Sequence, residues 1–539
     1  MKKVIIILSM IGAPLLFVGQ SNYSSVKPKL VVGIVVDQMR WDYLYRFSGR
    51  FGEKGFKRML REGFTCQNTF IPYAQTVTAA GHACVYTGSL PSINGIMGNE
   101  WYDKQLGREV YCTEDTSVRL VGVTGGEPMS PLNMWTTTVS DELRLATNFK
   151  SKVIGIAMKD RGAILPAGHS GNAAYWYDGA SGKWITSTHY MPSLPGWLTQ
   201  FNDKKWPDSF YQKDWPTLYP VNTYVSSDAD DVPYEGKVFG ERSPVFPHGL
   251  KSRIGKDYGA IRVTPYGSTL TLLLAKEAVK AEAMGQDEVT DILAVSLSSP
   301  DYIGHTFGPN SIEVEDTYLR LDQDLADLFS FLDMQVGEGA YTVFLTADHA
   351  VAHVPAYLKT HKIPGGAVTL SLDKLNKVAE EKFRVKEALV SAANYQLYLN
   401  DSAIALAGAD RKALVDLCIE YLLKQPEVLN AFDLKGPASF AVSQEMRELF
   451  ARGYNAKRSG DIQVVVKSGF FYGFATGSTH GTFYTYDSHI PLVWMGSGIA
   501  NGKLHREVYM TDIAATLSAL LQIQMPSGSV GKVIHEVLK

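Results

Sequence analysis

Short runs of β-branched and aliphatic residues recur along the chain, and each run ends where polar residues begin. The clearest runs cover residues 30–36, 152–158, 292–297 and 341–346. Apolar runs of this length are typical of strands that are buried on both faces of a parallel sheet. Helical patterns separate the runs, at residues 55–62, 268–283 and 311–333. The alternation predicts an α/β fold with a mostly parallel central sheet and helices on both faces.

Charged side chains follow the ends of the predicted strands. They are Asp37, Lys159, Asp301 and Asp348. In sheets of this kind, ligands bind beyond the carboxyl ends of the strands. We therefore expect these side chains to lie close together at one edge of the sheet.

Two long segments interrupt the alternation. Residues 165–262 are rich in Trp, Tyr, Pro and Gly, and residues 353–477 form a mixed segment with a helical pattern near residues 411–424. Neither has the composition of a flexible linker. We interpret both as ordered insertions that cap the ligand-binding edge of a domain spanning residues 27–539. The alternative is a packed outer layer without any role in ligand binding.

The first residues have the pattern of an export signal. Met1 is followed by two lysines, by an apolar run over residues 4–18 and then by small and polar residues. This pattern predicts a signal peptide at residues 1–20 and a mature protein that is periplasmic or secreted. No later stretch contains about 18 uninterrupted apolar residues, so we expect no membrane embedding. An uncleaved N-terminal anchor remains the alternative.

Composition narrows the range of partners. The chain has 539 residues, of which 45% are hydrophobic and 20% charged, and its formal net charge is -3. These values are typical of a globular protein, and they provide no broad basic surface for a specific nucleic-acid partner. The cysteines are too few and too scattered for a disulfide scaffold, and their pairing stays open. We expect Cys84 to be a small buried residue on the helix after Thr78.

Three local groups of residues have the character of metal ligands. Asp301 and His305 lie four residues apart, so one helical turn would direct both toward the same point. The other groups are the pair Asp348 and His349, which follows a predicted strand, and His480, which lies among small residues. Each group is weak evidence when it is taken alone.

Together with Asp37, these groups supply three carboxylates and three imidazoles but no thiolate. Such a ligand set suits zinc in catalytic sites, where open coordination positions remain. Two ions roughly 3.5–4 Å apart could hold the attacking and the leaving oxygen of an in-line displacement. We therefore predict two Zn²⁺ ions at this edge of the sheet.

Residues around Thr78 and Lys159 add candidate catalytic groups. Thr78 opens a helix of small residues, where a hydroxyl is ordinarily a helix cap. The first turn of a helix also binds phosphate oxygens, and a hydroxyl beside a metal ion is nucleophilic at neutral pH. Lys159 and Arg161 place two cations after one strand, where they could offset the charge of a phosphoryl group. Ordinary surface charge is the alternative for this pair.

A series of short motifs follows in order across almost the whole chain. They cover residues 35–42, 76–82, 98–103, 159–161, 301–310, 347–349 and 477–481. With these motifs the sequence resembles the alkaline phosphatase superfamily, and most closely its flavobacterial phosphate-irrepressible (PafA-type) branch. The resemblance implies the α/β fold of that superfamily and a phosphatase that acts on small-molecule phosphate monoesters. Because a site built around a phosphoryl group needs few contacts with the leaving group, we expect broad specificity.

The resemblance also implies a role for each candidate residue. One zinc would be held by Asp37, Asp348 and His349 together with the Thr78 oxygen. The other zinc would be held by Asp301, His305 and His480. Thr78 would be the nucleophile that forms a covalent phosphothreonine, and the phosphoryl oxygens would be contacted by Asn99, Lys159 and Arg161. Lys159 stands where other branches have a magnesium site, so no catalytic Mg²⁺ is expected.

Other activities use related sites. A phosphodiesterase or nucleotide pyrophosphatase of the same superfamily would share Thr78, Asn99 and two zinc ions, but it would lack the cationic pair Lys159 and Arg161. A sulfatase would need a modified Cys or Ser at the position of Thr78. A catalytically dead, exported binding protein would explain the fold but not the intact ligand set. The sequence leaves the oligomeric state open.

Overall fold

The computed structural model describes residues 27–436, 442–473 and 476–539. The predicted signal peptide at residues 1–20 lies outside the described residues. Within them, the predicted α/β fold is confirmed, since a large and mostly parallel sheet is surrounded by helices.

The strands are β1 (Leu30–Val36), β2 (Phe64–Phe70), β3 (Glu100–Asp103), β4 (Arg108–Tyr111), β5 (Leu120–Val121), β6 (Val153–Ala157), β7 (Ala173–Asp178), β8 (Lys183–Ser187), β9 (Asp291–Leu297), β10 (Tyr341–Thr346), β11 (Gly366–Val368), β12 (Leu389–Ala393), β13 (Gln396–Leu399), β14 (Val428–Asp433), β15 (Ile462–Val466), β16 (Phe470–Tyr472), β17 (His489–Gly496) and β18 (Gly502–Tyr509).

The α-helices are α1 (Tyr43–Arg46), α2 (Phe56–Glu62), α3 (Thr78–Thr87), α4 (Pro91–Asn94), α5 (Val139–Ala146), α6 (Asp160–Ala167), α7 (Gly196–Asp203), α8 (Trp206–Tyr211), α9 (Tyr266–Ala281), α10 (Ser299–Phe307), α11 (Ile312–Leu332), α12 (Pro355–Thr360), α13 (Leu372–Phe383), α14 (Asp401–Leu406), α15 (Arg411–Leu423), α16 (Gln444–Gly453), α17 (Thr485–Ser488) and α18 (Asp512–Leu521). Short 3₁₀ turns occur between some of them, and a π-helical turn, Asp333–Gly337, follows α11.

The central sheet has the strand order β18-β2-β17-β10-β1-β9-β6-β7-β8-β5. Strands β10, β1, β9, β6 and β7 run parallel to one another, whereas β17 is antiparallel to both β10 and β2, and β8 is antiparallel to β7. Every residue of β1, β9 and β10 is buried, as expected for strands covered on both faces. Helix α3 packs closely on this core, because a Cβ at Gly33 of β1 would lie 2.3 Å from the Tyr86 hydroxyl.

The two predicted insertions have different structures. Within residues 165–262, strands β7 and β8 extend the central sheet, and α7, α8 and 3₁₀ turns follow them. Within residues 353–477, a separate sheet of order β12-β13-β15-β14 packs with α13 and α15 around its own apolar core. The division of the chain into one catalytic domain with two capping insertions stays a prediction.

The strand ends determine where the candidate residues lie. Asp37 directly follows β1, and Lys159 follows β6 by two residues. Asp301 lies in the first turn of α10, just after β9, and Asp348 follows β10. Because these strands are neighbours and parallel, the four residues come to one edge of the sheet.

Two further expectations concern the cysteines and the membrane. The four cysteines are free and buried, and Cys84 lies on α3 as predicted. Across residues 27–436, 442–473 and 476–539, no helix combines the length and the apolar character needed to cross a membrane.

Candidate active site

The centre of the site is a buried lysine between two aspartates. The Lys159 ammonium donates to Asp37 Oδ2 at 2.7 Å and to Asp301 Oδ2 at 2.5 Å. Burial lowers the pKa of Lys159, but the charges of Asp301 and Asp37 outweigh it and raise the pKa overall. The ammonium therefore stays charged and draws the two carboxylates together.

Thr78 lies next to this ion pair at the start of α3. Its Oγ1 atom is 3.4 Å from Lys159 Nζ and 3.4 Å from His349 Nε2. The residue that precedes the helix as its N-cap is Val77, and no side chain caps this end. Thr78 is therefore not a helix cap, and its buried hydroxyl faces the Lys159 ammonium and the His349 ring instead.

Asp301, His305 and His480 form one group of possible metal ligands. The Nε2 atoms of His305 and His480 lie 3.1 Å and 3.7 Å from Asp301 Oδ1. Asp301 and His305 are four residues apart on α10, which explains why both side chains reach the same point. The ligand atoms of all three residues lie within 4.8 Å of one another.

A second group of possible ligands consists of Asp37, Asp301 and His349. His349 Nε2 lies 3.5 Å from Asp37 Oδ1 and 3.6 Å from Asp348 Oδ2. The grouping differs in one respect from the one that the resemblance implies. Asp301 belongs to both groups, and Asp348 adjoins the second group through His349.

The three histidines share a hydrogen-bonding pattern that fixes their tautomers. Each Nδ1 atom lies near a main-chain carbonyl, at 2.8 Å for His305, 2.6 Å for His480 and 3.0 Å for His349. Because a carbonyl only accepts hydrogen bonds, each Nδ1 carries a proton and each Nε2 faces the carboxylates. This is the orientation of metal-ligating histidines, whose other nitrogen is held by a carbonyl. Burial lowers the pKa of His305, but the charge of Asp301 and its hydrogen bond outweigh this effect and raise the pKa overall.

The electrostatics of the site also fit bound cations. Asp37 Oδ1 and Asp348 Oδ2 are buried and have no hydrogen-bond partner. Burial, followed by the charges of Asp301 and Asp348, raises the pKa of Asp37 well above its ordinary value. Burial also lowers the pKa of His349 and, together with the charge of His349, that of His480. Unpaired carboxylate oxygens and neutral imidazoles are the ligands that divalent transition metals prefer.

The remaining predicted residues surround Thr78 less closely. Asn99 accepts a hydrogen bond from the main-chain N–H of Ala79 at 3.0 Å, so its side chain is held beside the first turn of α3. Arg161 lies in the first turn of α6 and donates to the Tyr111 hydroxyl at 2.9 Å. Asn99 and Lys159 thus contact the helical turn of the nucleophile, whereas the contact shown for Arg161 is with Tyr111.

Two residues that sequence reasoning did not assign a role contact the site directly. Gln38 donates from its side chain to Asp301 at 2.6 Å and from its main chain to Asp348 at 3.3 Å. His82 lies between Thr78 and Asp348. Both belong to motifs of the sequence. For His82 the signal is a polar ring among small residues, whereas Gln38 is marked only by its place directly after Asp37.

Fold and site together define a class of enzyme. Acidic and imidazole ligands at the ends of parallel strands, with a hydroxyl at a helix start between them, are the parts of a metal-dependent phosphoryl-transfer site. The sequence matches the family "Type I phosphodiesterase / nucleotide pyrophosphatase" over residues 31–489. The chain belongs to this family, within the alkaline phosphatase superfamily.

Its relatives define the branch. The alkaline phosphatase PhoV of Synechococcus elongatus is 51% identical over 515 residues, which cover 95% of this chain and 93% of PhoV. The alkaline phosphatase PafA of Elizabethkingia meningoseptica is 47% identical over 543 residues, or 99% of this chain and 98% of PafA. A Myroides odoratus protein that is named a calcium-transporting ATPase is 49% identical over 522 residues, 95% of either chain.

The fold comparison agrees with the sequence comparison. The crystal structure of wild-type PafA superimposes with a TM-score of 0.94 at 47% identity, covering 96% of this chain and 100% of that one. The predicted superfamily and branch are therefore confirmed, and the chain is a phosphatase. Phosphate monoesters fit such an enzyme, and the acid and histidine groups indicate that it depends on metal.

Proposed function

We propose that the chain is an exported, zinc-dependent alkaline phosphatase that hydrolyses a broad range of phosphate monoesters through a covalent phosphothreonine at Thr78. The observation that carries the proposal is the position of the Thr78 hydroxyl. It is buried at a helix start, and it lies 3.4 Å from both the Lys159 ammonium and His349. This environment supports a nucleophilic role for the hydroxyl.

The residues of the chain would act in two half-reactions. Thr78 Oγ1 attacks phosphorus, its proton is lost, and the bond from phosphorus to the ester oxygen breaks, so that the alcohol leaves with the electron pair and gains a proton. Water then attacks the phosphothreonine, which releases phosphate and restores the hydroxyl. Two bound Zn²⁺ ions would supply Lewis-acid chemistry for the attacking and the leaving oxygen. One ion would be held by Asp37, Asp348 and His349, and the other by Asp301, His305 and His480.

Asn99, Lys159 and Arg161 would stabilise the phosphoryl group. The Asn99 side chain is held beside Thr78 by the Ala79 N–H, and the Lys159 ammonium lies beside the hydroxyl. A phosphate monoester carries more charge than a diester, so cations near the nucleophile favour the monoester. Because Lys159 already bridges Asp37 and Asp301, we further propose that no Mg²⁺ takes part in catalysis.

A second candidate activity is the hydrolysis of phosphodiesters. It is favoured by one observation, the name of the matching family. Initial rates with p-nitrophenyl phosphate and bis-p-nitrophenyl phosphate, measured side by side on the zinc-loaded mature protein, separate the two activities. A higher kcat/KM for the monoester supports the proposal, and a higher kcat/KM for the diester contradicts it.

The nucleophile is tested by replacing Thr78. We expect Thr78→Ala to remove most of the monoesterase activity and all acid-stable phosphoenzyme, and Thr78→Ser to retain both in part because it keeps a hydroxyl. An unchanged rate in Thr78→Ala would show that another group attacks phosphorus.

A further inference from the structure

His82 is a fully buried histidine between the nucleophile and a candidate metal ligand. It lies four residues after Thr78 on α3, and its Nδ1 atom is 2.9 Å from the Thr78 carbonyl oxygen. The same nitrogen lies 3.3 Å from Asp348 Oδ2, and both side chains are 0% exposed. On the other side of the ring, Nε2 lies 2.8 Å from the hydroxyl of Ser296 on β9.

These contacts determine the hydrogen positions on the ring. The Thr78 carbonyl and the Asp348 carboxylate only accept hydrogen bonds, so His82 Nδ1 must carry a proton and donate. In the neutral ring, Nε2 is then an acceptor, and the Ser296 hydroxyl donates to it. The Nδ1–H group thus donates its hydrogen bond to the main-chain carbonyl of the nucleophile, and it lies 3.3 Å from Asp348 Oδ2, a buried carboxylate oxygen without a hydrogen-bond partner.

The neighbouring residue shows how close this contact is. A Cβ at Gly81 would lie 2.3 Å from the Asp348 main-chain oxygen, so the first turn of α3 passes directly against Asp348. The His82 side chain lies at the same contact between α3 and Asp348, where its Nδ1 atom faces the Thr78 carbonyl and the Asp348 carboxylate. It therefore joins α3, β9 and the end of β10 at the point where Thr78 is placed.

We propose that His82 is a positioning residue for the phosphoryl transfer, which sets the distance between Thr78 and the Asp348 carboxylate through its Nδ1–H group. The inference rests on the proposed function of Thr78. The ring does not touch the Thr78 hydroxyl; it acts through the carbonyl of Thr78 and through Asp348. Its loss should therefore lower kcat and kcat/KM together and change KM little, as for an interaction that matters in the transition state.

Two variants with side-chain amides distinguish a positioning role of His82 from a role in packing alone. The side-chain amide of His82→Asn can occupy the place of Nδ1, whereas the longer side chain of His82→Gln carries its amide to the place of Nε2. We expect His82→Asn to stay within about tenfold of the wild-type kcat, and His82→Gln to lose about 10²-fold, the effect of misplacing a reacting group by about 1 Å.

The matched control is His248, another fully buried histidine, which binds Glu241 and Glu313 away from the site. His248→Gln should lower the melting temperature but leave kcat within about threefold of the wild type. Each variant is assayed with p-nitrophenyl phosphate, and its thermal unfolding is followed by circular dichroism.

The outcomes are distinct. Preferential rescue by Asn over Gln, at equal melting temperatures, supports the proposal. Equal losses in both variants, wild-type activity in both, or losses that only follow a fall in melting temperature would overturn it. Thr78→Ala is measured in the same series, because activity in that variant would refute the proposed nucleophile rather than the role of His82.

Discussion

The close approach of α3 to Asp348 makes Gly81→Ala an informative perturbation. The added Cβ would meet the Asp348 main-chain oxygen at 2.3 Å, its Cβ at 2.7 Å and its carbonyl carbon at 2.8 Å. Two of these atoms belong to the main chain, so no side-chain rotation relieves the overlap. Because ordinary contact begins at 3.4 Å, the helix and the strand end must separate by about 1 Å.

This displacement has a predictable effect on activity. Thr78 is carried by the same helical turn, and a misplacement of about 1 Å costs about 10²-fold in rate. We expect kcat/KM for p-nitrophenyl phosphate to fall by that factor, which corresponds to about 2.7 kcal/mol of lost transition-state stabilisation. Overpacking should also lower the free energy of unfolding by about 1–3 kcal/mol.

The control distinguishes steric overlap from the general effect of the substitution. Gly196 lies in the first turn of α7, and a Cβ there would meet nothing within 4 Å. Gly196→Ala should therefore leave activity unchanged. In a helix without overlap, Gly→Ala stabilises by about 1 kcal/mol. If Gly81→Ala raised the melting temperature and kept the wild-type kcat/KM, the inferred contact between α3 and Asp348 would be wrong.

Three further predictions follow from the charges of the molecule. Lys159→Ala should lower monoesterase activity by about 10²–10³-fold and diesterase activity much less, and equal losses would refute the charge argument. Chelation with EDTA should abolish monoester hydrolysis and added Zn²⁺ should restore it, whereas full activity after exhaustive chelation would contradict metal dependence. Burial raises the pKa of Asp141, but hydrogen bonds from His169, Thr138 and Ser170 outweigh it and lower the pKa to about 2. A carboxyl group whose pKa is lowered in the fold stabilises the protein at pH values above its ordinary pKa, and this stabilisation is lost as the pH falls toward 2. The loss of unfolding free energy caused by Asp141→Asn should therefore be smaller by about 2 kcal/mol at pH 2 than at pH 5, as measured by denaturant titration. An equal loss at both pH values would contradict this.

Much of the fold could be predicted because apolar runs and their polar ends are local signals. The run at residues 341–346 coincides with β10, and residues 311–333 contain α11, Ile312–Leu332. The start of the first predicted insertion was less informative. Strand β7, with the sequence AAYWYD, is rich in aromatic residues and does not continue the β-branched pattern, yet it pairs in parallel with β6.

The candidate residues of the site could be predicted from the sequence, but the hydrogen bonds between them could not. Local patterns indicated Asp37, Asp301 and Asp348 at strand ends. The hydrogen bond from Gln38 to Asp301 spans 263 residues, and that from Ser296 to His82 spans 214. Contacts of this kind depend on which strands become neighbours in the sheet, and no periodicity along the chain encodes them.

The hydrogen bond between His480 and the Thr76 carbonyl, 404 residues apart, has a consequence for how activity arises. Contacts between such distant residues form late, because the intervening chain must first be ordered. A polypeptide that ends before His480 contains Thr78, Asp37 and Asp301, but it lacks His480 as a candidate metal ligand. We therefore expect a growing or truncated chain to be inert toward phosphate esters, so that the onset of hydrolysis marks the completion of folding.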